Sequence, residues 1–183
     1  MAKLILGIVG EMSSGKGAIC KHVVENYNAG SHKFSQILRD ILDRVYVDQS
    51  RENISTLSLT LRKNFGEDVL AKSMYNDAKN DEHEIVVIDG VRRLEDIVYL
   101  KELPEFKLIY IDANIETRYQ RMVARGENVG DATKTFQQFE REHELNADAY
   151  IRDLKNYASE IVDNNGTYAD LYKQIDEIIK KNI

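Results

Sequence analysis

LILGIVGEMSSGKGAIC, residues 4–20, is the stretch on which the fold turns. Leu4 to Val9 is an unbroken apolar run, the pattern of a strand covered on both faces in a parallel sheet. Gly10-Glu11-Met12-Ser13-Ser14-Gly15-Lys16-Gly17 follows and fits GxxxxGK. A helix over 15–27 comes next, with Ala18, Ile19, Val23 and Val24 on its inner side. Strand, glycine-rich turn and helix in that order are the setting of a phosphate loop. Glycines let successive amides curl to face one anion, and the helix N-terminus adds favourable partial charge. Gly10, Ser13, Ser14, Gly15, Lys16, Gly17 and Ala18 are the candidate nucleotide-phosphate residues, with Lys16 reaching the β- and γ-phosphates. A plain strand-to-helix turn carrying an exposed lysine is the alternative.

Outward from this stretch, short apolar runs alternate with helical ones. Residues 32–34 can form a second strand, and 36–47 a helix burying Ile37, Leu38, Ile41, Leu42 and Val45. Helices are expected over 53–65, stopped by Gly66, and over 67–78. EIVVID, residues 84–89, reads as the clearest central strand, with a helix over 93–100 behind it. FKLIYI, residues 106–111, is another strand, followed by helices over 115–124 and 136–145. A short strand at 160–162 leads through the Asn164-Asn165-Gly166 turn to a last helix. Thr167 is its N-cap, and Leu171, Ile175, Ile178 and Ile179 are its buried face. Strands separated by helices imply right-handed crossovers and a doubly wound parallel sheet, so the fold class is α/β.

The 183 residues are of one-domain size, and 43% hydrophobic with 31% charged residues suits a soluble globular core. Ten glycines and a single proline exclude a collagen-like chain. A formal charge of -6 leaves no global field for a polyanion, and the tyrosines do not interleave with a basic stripe. Nucleic acid and membrane are therefore not expected partners. Lone Cys20 excludes an internal disulfide and reads as core, and the run Leu4 to Val9 is too short for a signal segment. A cytoplasmic protein, monomer or homodimer, is expected. The four histidines show no metal-ligand spacing, and Glu140, Glu142 and Glu144 beside His143 read as a solvated acidic face.

Arginines mark where charge transfer can be managed. Arg92 and Arg93 follow Asp89-Gly90 at the carboxyl end of a central strand, the edge where open α/β sheets bind ligands. Arg118, Arg121 and Arg125 stand at i, i+3 and i+7 on one helix face. They form either a solvated stripe or a lid that closes over a transferring phosphoryl group, with the polar segment 126–131 as its tip.

Taken in order, the GKG loop, Ser35 to Arg39, Asp89-Gly90-Val91-Arg92, the arginine helix and Asn165-Gly166-Thr167 resemble P-loop kinases of the nucleoside monophosphate kinase type. The similarity points to a branch related to dephospho-CoA kinase and phage deoxynucleoside monophosphate kinases, and spans nearly the whole chain. It implies a five-stranded parallel sheet flanked by helices, acceptor-binding helices over about 35–80, and a small arginine-bearing lid over about 118–145. It also implies ATP and Mg2+ as cofactors. Gly17 replaces the usual magnesium-binding Ser or Thr, as in adenylate kinase relatives that hold the metal mainly through water. Asp89 is then the carboxylate for the metal's outer shell. The resemblance also puts Arg92 or Arg93, with Arg39 and Arg62 as further candidates, on the acceptor phosphate, and Asn165 and Gly166 beside the adenine.

A hydroxyl acceptor calls for a carboxylate base, whereas a phosphate acceptor calls for arginines that place it. Dephospho-CoA kinases carry an Asp just after the second strand, where this chain has Phe34-Ser35-Gln36; Asp40 and Asp43 come later. A nucleoside or deoxynucleoside monophosphate is therefore the expected acceptor. Lys16, Asp89, Arg92, Arg121 and Arg125 are the expected catalytic set. Dephospho-CoA kinase is the alternative, and a non-catalytic nucleotide-binding regulatory protein the second. Gly17 and the absence of an Asn-Lys-x-Asp motif argue against a GTPase-type switch.

Overall fold

The continuous apolar run at the N-terminus becomes the middle strand of the sheet. The computed structural model describes residues 2–126, 130–145 and 148–183. Strands β1 (Leu4–Val9), β2 (Gly30–Lys33), β3 (Ile85–Asp89), β4 (Phe106–Asp112) and β5 (Glu160–Asp163) form one sheet in the order β2-β3-β1-β4-β5. All four pairings are parallel. β1 aligns Leu4 with Ile85 and Ile8 with Asp89 on one side, and Ile5 with Phe106 and Val9 with Tyr110 on the other. The register sets Asp89 beside the last turn of β1, at the sheet's carboxyl edge. The five-stranded parallel sheet expected from the resemblance is thus present.

Alternation along β1 divides the core in two. Leu4, Leu6 and Ile8 face helices α1 (Lys16–Tyr27) and α8 (Tyr168–Asn182), where Ile19, Val23, Leu171, Ile175 and Ile179 are buried. Ile5 and Val9 face α2 (Phe34–Arg44) and α4 (Val69–Asn80) through Phe34, Leu38, Leu70 and Met74. Thr167 caps α8 as its sequence predicts: its Oγ1 accepts from the Asp170 N–H at 3.2 Å. Helix α3 (Arg51–Phe65) has no fully buried residue but rests Ile54, Leu57 and Leu61 against this second half of the core, leaving Leu59 and Phe65 each 68% exposed. Helices α5 (Ile115–Arg125), α6 (Phe136–Leu145) and α7 (Asp148–Asp153) complete the second half. No helix among the described residues is long and apolar enough to cross a membrane.

Three local expectations fail. Residues 93–100 are not an α-helix but 3-10 turns, Leu94–Ile97 and Leu100–Glu102. The buried Asp96 carboxylate accepts the N–H groups of Arg92 (2.9 Å) and Arg93 (3.1 Å), which tightens the entry into a short turn. Val45 is 57% exposed, because α2 stops at Arg44 and the chain leaves through Tyr46 in left-handed geometry. Ile37, Ile41 and Ile178 are only partly buried. The sequence also gave no reason to expect α7 and the 3-10 turn Leu154–Tyr157, which seat Ile151 and Leu154 in the core.

Candidate functional site

The loop after β1 owes its shape to three residues with positive φ: Gly10 (156°), Ser13 (60°) and Gly15 (111°). Gly15 caps α1, and a Cβ there would overlap the side-chain amide of Asn164. That amide donates to Ser14 O at 2.7 Å, while the Asn164 carbonyl accepts from Arg121 Nη2 at 3.2 Å. Asn164 is 1% exposed, so the end of β5 buttresses the loop and holds an arginine of α5 above it. Lys16 Nζ donates to Gly10 O (2.7 Å) and Glu11 O (2.8 Å), which folds the ammonium back over the loop.

One cleft of about 560 Å³ gathers Ser13, Gly15, Lys16, Gly17, Ala18, Asp89, Arg121, Ala124, Arg125 and Tyr168. Lysine, carboxylate and two arginines therefore share one space, although they come from the loop, β3 and α5. The hydroxyls of Ser13 and Ser14 and Nη1 of Arg121 are buried without a hydrogen-bond partner. Of these, Ser13 and Arg121 line the cationic cleft, where unpaired donors are what a polyanionic phosphate chain would satisfy. For a divalent cation, Asp89 is the carboxylate at hand, while Gly17 offers no hydroxyl. Among the described residues no cluster of three or more acidic, histidine or cysteine side chains could ligate a metal alone. That donor set fits a metal shared with phosphates and water rather than a protein-built cage.

The other expected residues lie apart from this cleft. Arg62, Arg92 and Arg93 collect around Asp96: Arg62 Nη2 meets Oδ1 at 3.3 Å, and the backbones of Arg92 and Arg93 occupy Oδ2. Arg93 also pairs with Glu67 at 3.0 Å. Arg62 Nε and Arg93 Nη2 are buried without partners, and the Arg92 side chain is exposed. Burial and then the neighbouring Arg93 charge lower the Arg62 pKa, with Asp96 opposing them. Arg39 is taken up by Gln49 at 2.8 Å. Asn165 Oδ1 accepts the Asn114 N–H at 2.7 Å, joining the turn after β5 to the start of α5. Cys20 is core: burial and then the Asp89 charge push its thiol up to about 12.

Arg118 faces away from the cleft. It is 2% exposed and pairs with Glu11 at 3.2 Å, while His143 (3.3 Å) and Arg152 (3.5 Å) meet the other Glu11 oxygen. His143 thus belongs to this buried cluster and not to an acidic solvent face. Glu142 pairs with Lys134 at 2.7 Å, and the Glu144 side chain lies outside the described residues, as do 127–129 of the expected lid tip. Glu11, Asn164 and Tyr168 were not singled out from sequence. Glu11 fills a variable position of its motif and Asn164 looks like one more turn residue, while Arg118 and Ser14, which give them their roles, lie more than a hundred residues away.

A GxxxxGK loop at the end of the central strand of this sheet defines a P-loop NTPase domain with a kinase-like fold. Residues 9–140 match the family model AAA_17, described as an AAA domain. A UPF0200 protein of Thermococcus sibiricus is 31% identical over 142 residues, covering 75% of this chain and 73% of that one. The chain therefore belongs to the AAA_17 family of AAA domains and to the UPF0200 proteins. A UPF0200 protein of Methanococcus maripaludis is 26% identical over 98% of this chain and 97% of its own. Among solved structures, shikimate kinase from Bacteroides thetaiotaomicron superposes with a TM-score of 0.64 at 11% identity, covering 97% of this chain and 98% of that one. TT1252 from Thermus thermophilus gives 0.62 at 13% identity, with both chains fully covered. These two show a shared fold.

Proposed function

We propose that the protein transfers the γ-phosphoryl group of ATP to a small acceptor that already carries a phosphate, a nucleoside or deoxynucleoside monophosphate. The observation that carries this reading is the single cleft in which Lys16, Asp89, Arg121 and Arg125 surround the phosphate loop. An acceptor phosphate oxygen bonds to the γ-phosphorus, the bond from that phosphorus to the β,γ-bridging oxygen breaks, and a diphosphate leaves. Little covalent chemistry falls to the protein, so its contribution is placement and charge. Lys16 and the loop amides, with the Ser13 and Ser14 hydroxyls, hold the donor phosphates; Arg121 and Arg125 offset the charge that spreads onto the moving group. Asp89 would hold Mg2+ through water, and the bound ion would neutralise phosphate charge. Gly10 and Ala18 would complete the loop, and the turn after β5 with Asn165 and Gly166, outside the cleft lining, would border the base end.

On the acceptor side the orphaned nitrogens of Arg62 and Arg93, with exposed Arg92, suit a phosphate, and Arg39 stands further along α2. The chain then works as one phosphotransfer unit, with 35–80 receiving the acceptor and 118–145 forming the lid. Dephospho-CoA is disfavoured as acceptor because, among the described residues, no carboxylate besides Asp89 lines the cleft; Asp40 and Asp43 accept from Gln36 and Gln49 at the surface. The test is mass spectrometry of products after incubation with ATP, Mg2+ and each common ribo- and deoxyribonucleoside monophosphate, with dephospho-CoA in a separate tube. A new diphosphate is expected. CoA would overturn the phosphate-acceptor reading, and bound ATP with no product would leave a nucleotide-binding regulatory protein.

A further inference from the structure

A carboxylate within a loop that receives phosphates opposes them unless cations absorb its charge. Glu11, the second residue of this loop, is 8% exposed, lies outside the cleft lining and has two guanidiniums beside it. Its Oε2 meets Arg118, whose Nε also donates to Ala113 O at 3.1 Å. Arg118 therefore clamps the start of α5 to the phosphate loop, and α5 is the helix that carries Arg121 and Arg125 into the cleft. The other oxygen, Oε1, lies near His143 of α6 and Arg152 of α7, yet it accepts no hydrogen bond. Arg152 Nη1 stands 2.8 Å from His143 Nε2, and Arg118 Nη2 stands 3.4 Å from it. A guanidinium can only donate, so Nε2 is an acceptor and His143 is neutral, with its proton on Nδ1.

We propose that Glu11 is a positioning residue: through Arg118 it fixes α5, and with it Arg121 and Arg125, against the phosphate loop, while neutral His143 completes the same latch by joining α6 to α7. A proton on Nε2 reverses the last contact. It removes the acceptor for Arg152, adds a third cation beside one carboxylate, and makes the ring a donor to Oε1 in competition with Arg118. Among the described residues, the other groups around the ring do not offset that charge. On α6 itself Glu140 and Arg141 are exposed, and Glu142 is bound to Lys134. From β4, Asp112 is bound to Lys155. Tyr110 stays neutral, because burial and then the Glu11 and Asp112 charges push its hydroxyl up to about 12. The latch is therefore closed near neutral pH and loosens as pH falls through the histidine range. It acts on transfer and not on ATP binding, since Lys16 bonds to the backbone carbonyl of Glu11 and not to its side chain.

This inference rests on the phosphoryl-transfer reading, and amide hydrogen exchange of the unliganded protein separates the two, because it needs no turnover. Glu11→Gln keeps the shape of the side chain and removes its charge. At about pH 8 it is expected to speed exchange across 115–125 and to lower kcat about tenfold, as reacting groups drift from their places, while the ATP dissociation constant stays within about twofold. His143→Gln keeps an acceptor where Nε2 stands and takes no proton there. At about pH 8, where histidine is neutral, it should match the wild type in exchange and in kcat. At about pH 6 the wild type is expected to exchange faster than His143→Gln over 148–153 and to turn over about threefold more slowly. Substrate phosphates also titrate in this range, but equally for both enzymes. Unchanged exchange over α5 in Glu11→Gln, a loss of ATP affinity equal to its loss of kcat, or one pH profile shared by the wild type and His143→Gln would overturn the proposal. Should Glu11→Gln not fold, the comparison with His143→Gln decides alone, because it removes no buried charge. A wild type that transfers nothing yet shows these exchange differences would overturn the reading of function and keep the latch.

Discussion

At the scale of single residues, the phosphate loop combines positions that tolerate no change with one that does. At Gly15 the φ of 111° excludes ordinary side chains, and a Cβ would displace the Asn164 amide from Ser14 O. Backbone strain of this kind costs about 1–3 kcal/mol, and a chain of this size loses about 2–4 °C of Tm per kcal/mol. Gly15→Ala is expected to lower Tm by several degrees and weaken triphosphate binding. Gly17 has nothing within 4 Å of where its Cβ would stand, so Gly17→Ser should leave Tm unchanged. Equal losses in a thermal melt of the two variants would refute this account of the loop. Lys16→Ala removes a positive charge and its hydrogen bonds to the loop carbonyls of Gly10 and Glu11, and no core side chain. It should cost roughly 100-fold or more in turnover with Tm preserved, and wild-type turnover would remove Lys16 from the chemistry. These letters were legible in the sequence because glycine spacing and the lysine act locally. Asn164 was not, because its role depends on β5 ending next to a loop 150 residues earlier.

At the scale of elements, the segment after β3 shows why a residue's role is set by its neighbours. The sequence pattern over 93–100 is helical in its apolar spacing, yet Asp96 captures two backbone donors and the segment becomes 3-10. Nothing in a one-dimensional pattern marks an aspartate that turns inward. Its other oxygen takes Arg62 from α3, a surface helix with no fully buried residue, so Asp96 links that helix to the backbone that presents Arg92. Asp96→Asn keeps the shape but leaves a single carbonyl oxygen for three donors. The acceptor KM is expected to rise about tenfold while the ATP dissociation constant stays within about twofold, the signature of a positioning residue. Kinetics with the acceptor found by mass spectrometry, beside direct ATP titration, decide it. A parallel loss of ATP affinity would mean that Asp96 merely holds the fold. A melt of the same variant should also fall, since burying Arg62 without its partner costs about 1–3 kcal/mol.

At the scale of the whole molecule, the class of fold was readable because apolar runs bounded by helices leave a parallel sheet as the economical packing. What patterning did not show is how the sheet's two sides are tied down by carboxylates. Asp176 on α8 accepts from Tyr27 (2.8 Å) and pairs with His22 (2.7 Å), fastening α1. Asp81, just past α4, pairs with His32 of β2 (2.7 Å) and with His83 (2.6 Å), fastening the edge strand. Burial by itself would raise both carboxyl pKa values. The His83 backbone and the two histidines at Asp81, and His22 and Tyr27 at Asp176, outweigh it and hold both groups below the usual carboxylate value. A carboxyl depressed in the folded state binds its proton more weakly there than when unfolded. Its stabilisation is therefore present in full above the unfolded value, about 3.9, and disappears as pH falls through the lower folded value. Urea midpoints should accordingly fall below about pH 4. In the double variant Asp81→Asn/Asp176→Asn the midpoint near neutrality should drop, and its decline between about pH 5 and pH 2.5 should flatten. An acid decline as steep as the wild type's would show that other carboxylates set the acid limit, leaving these two clasps as geometry without consequence for stability.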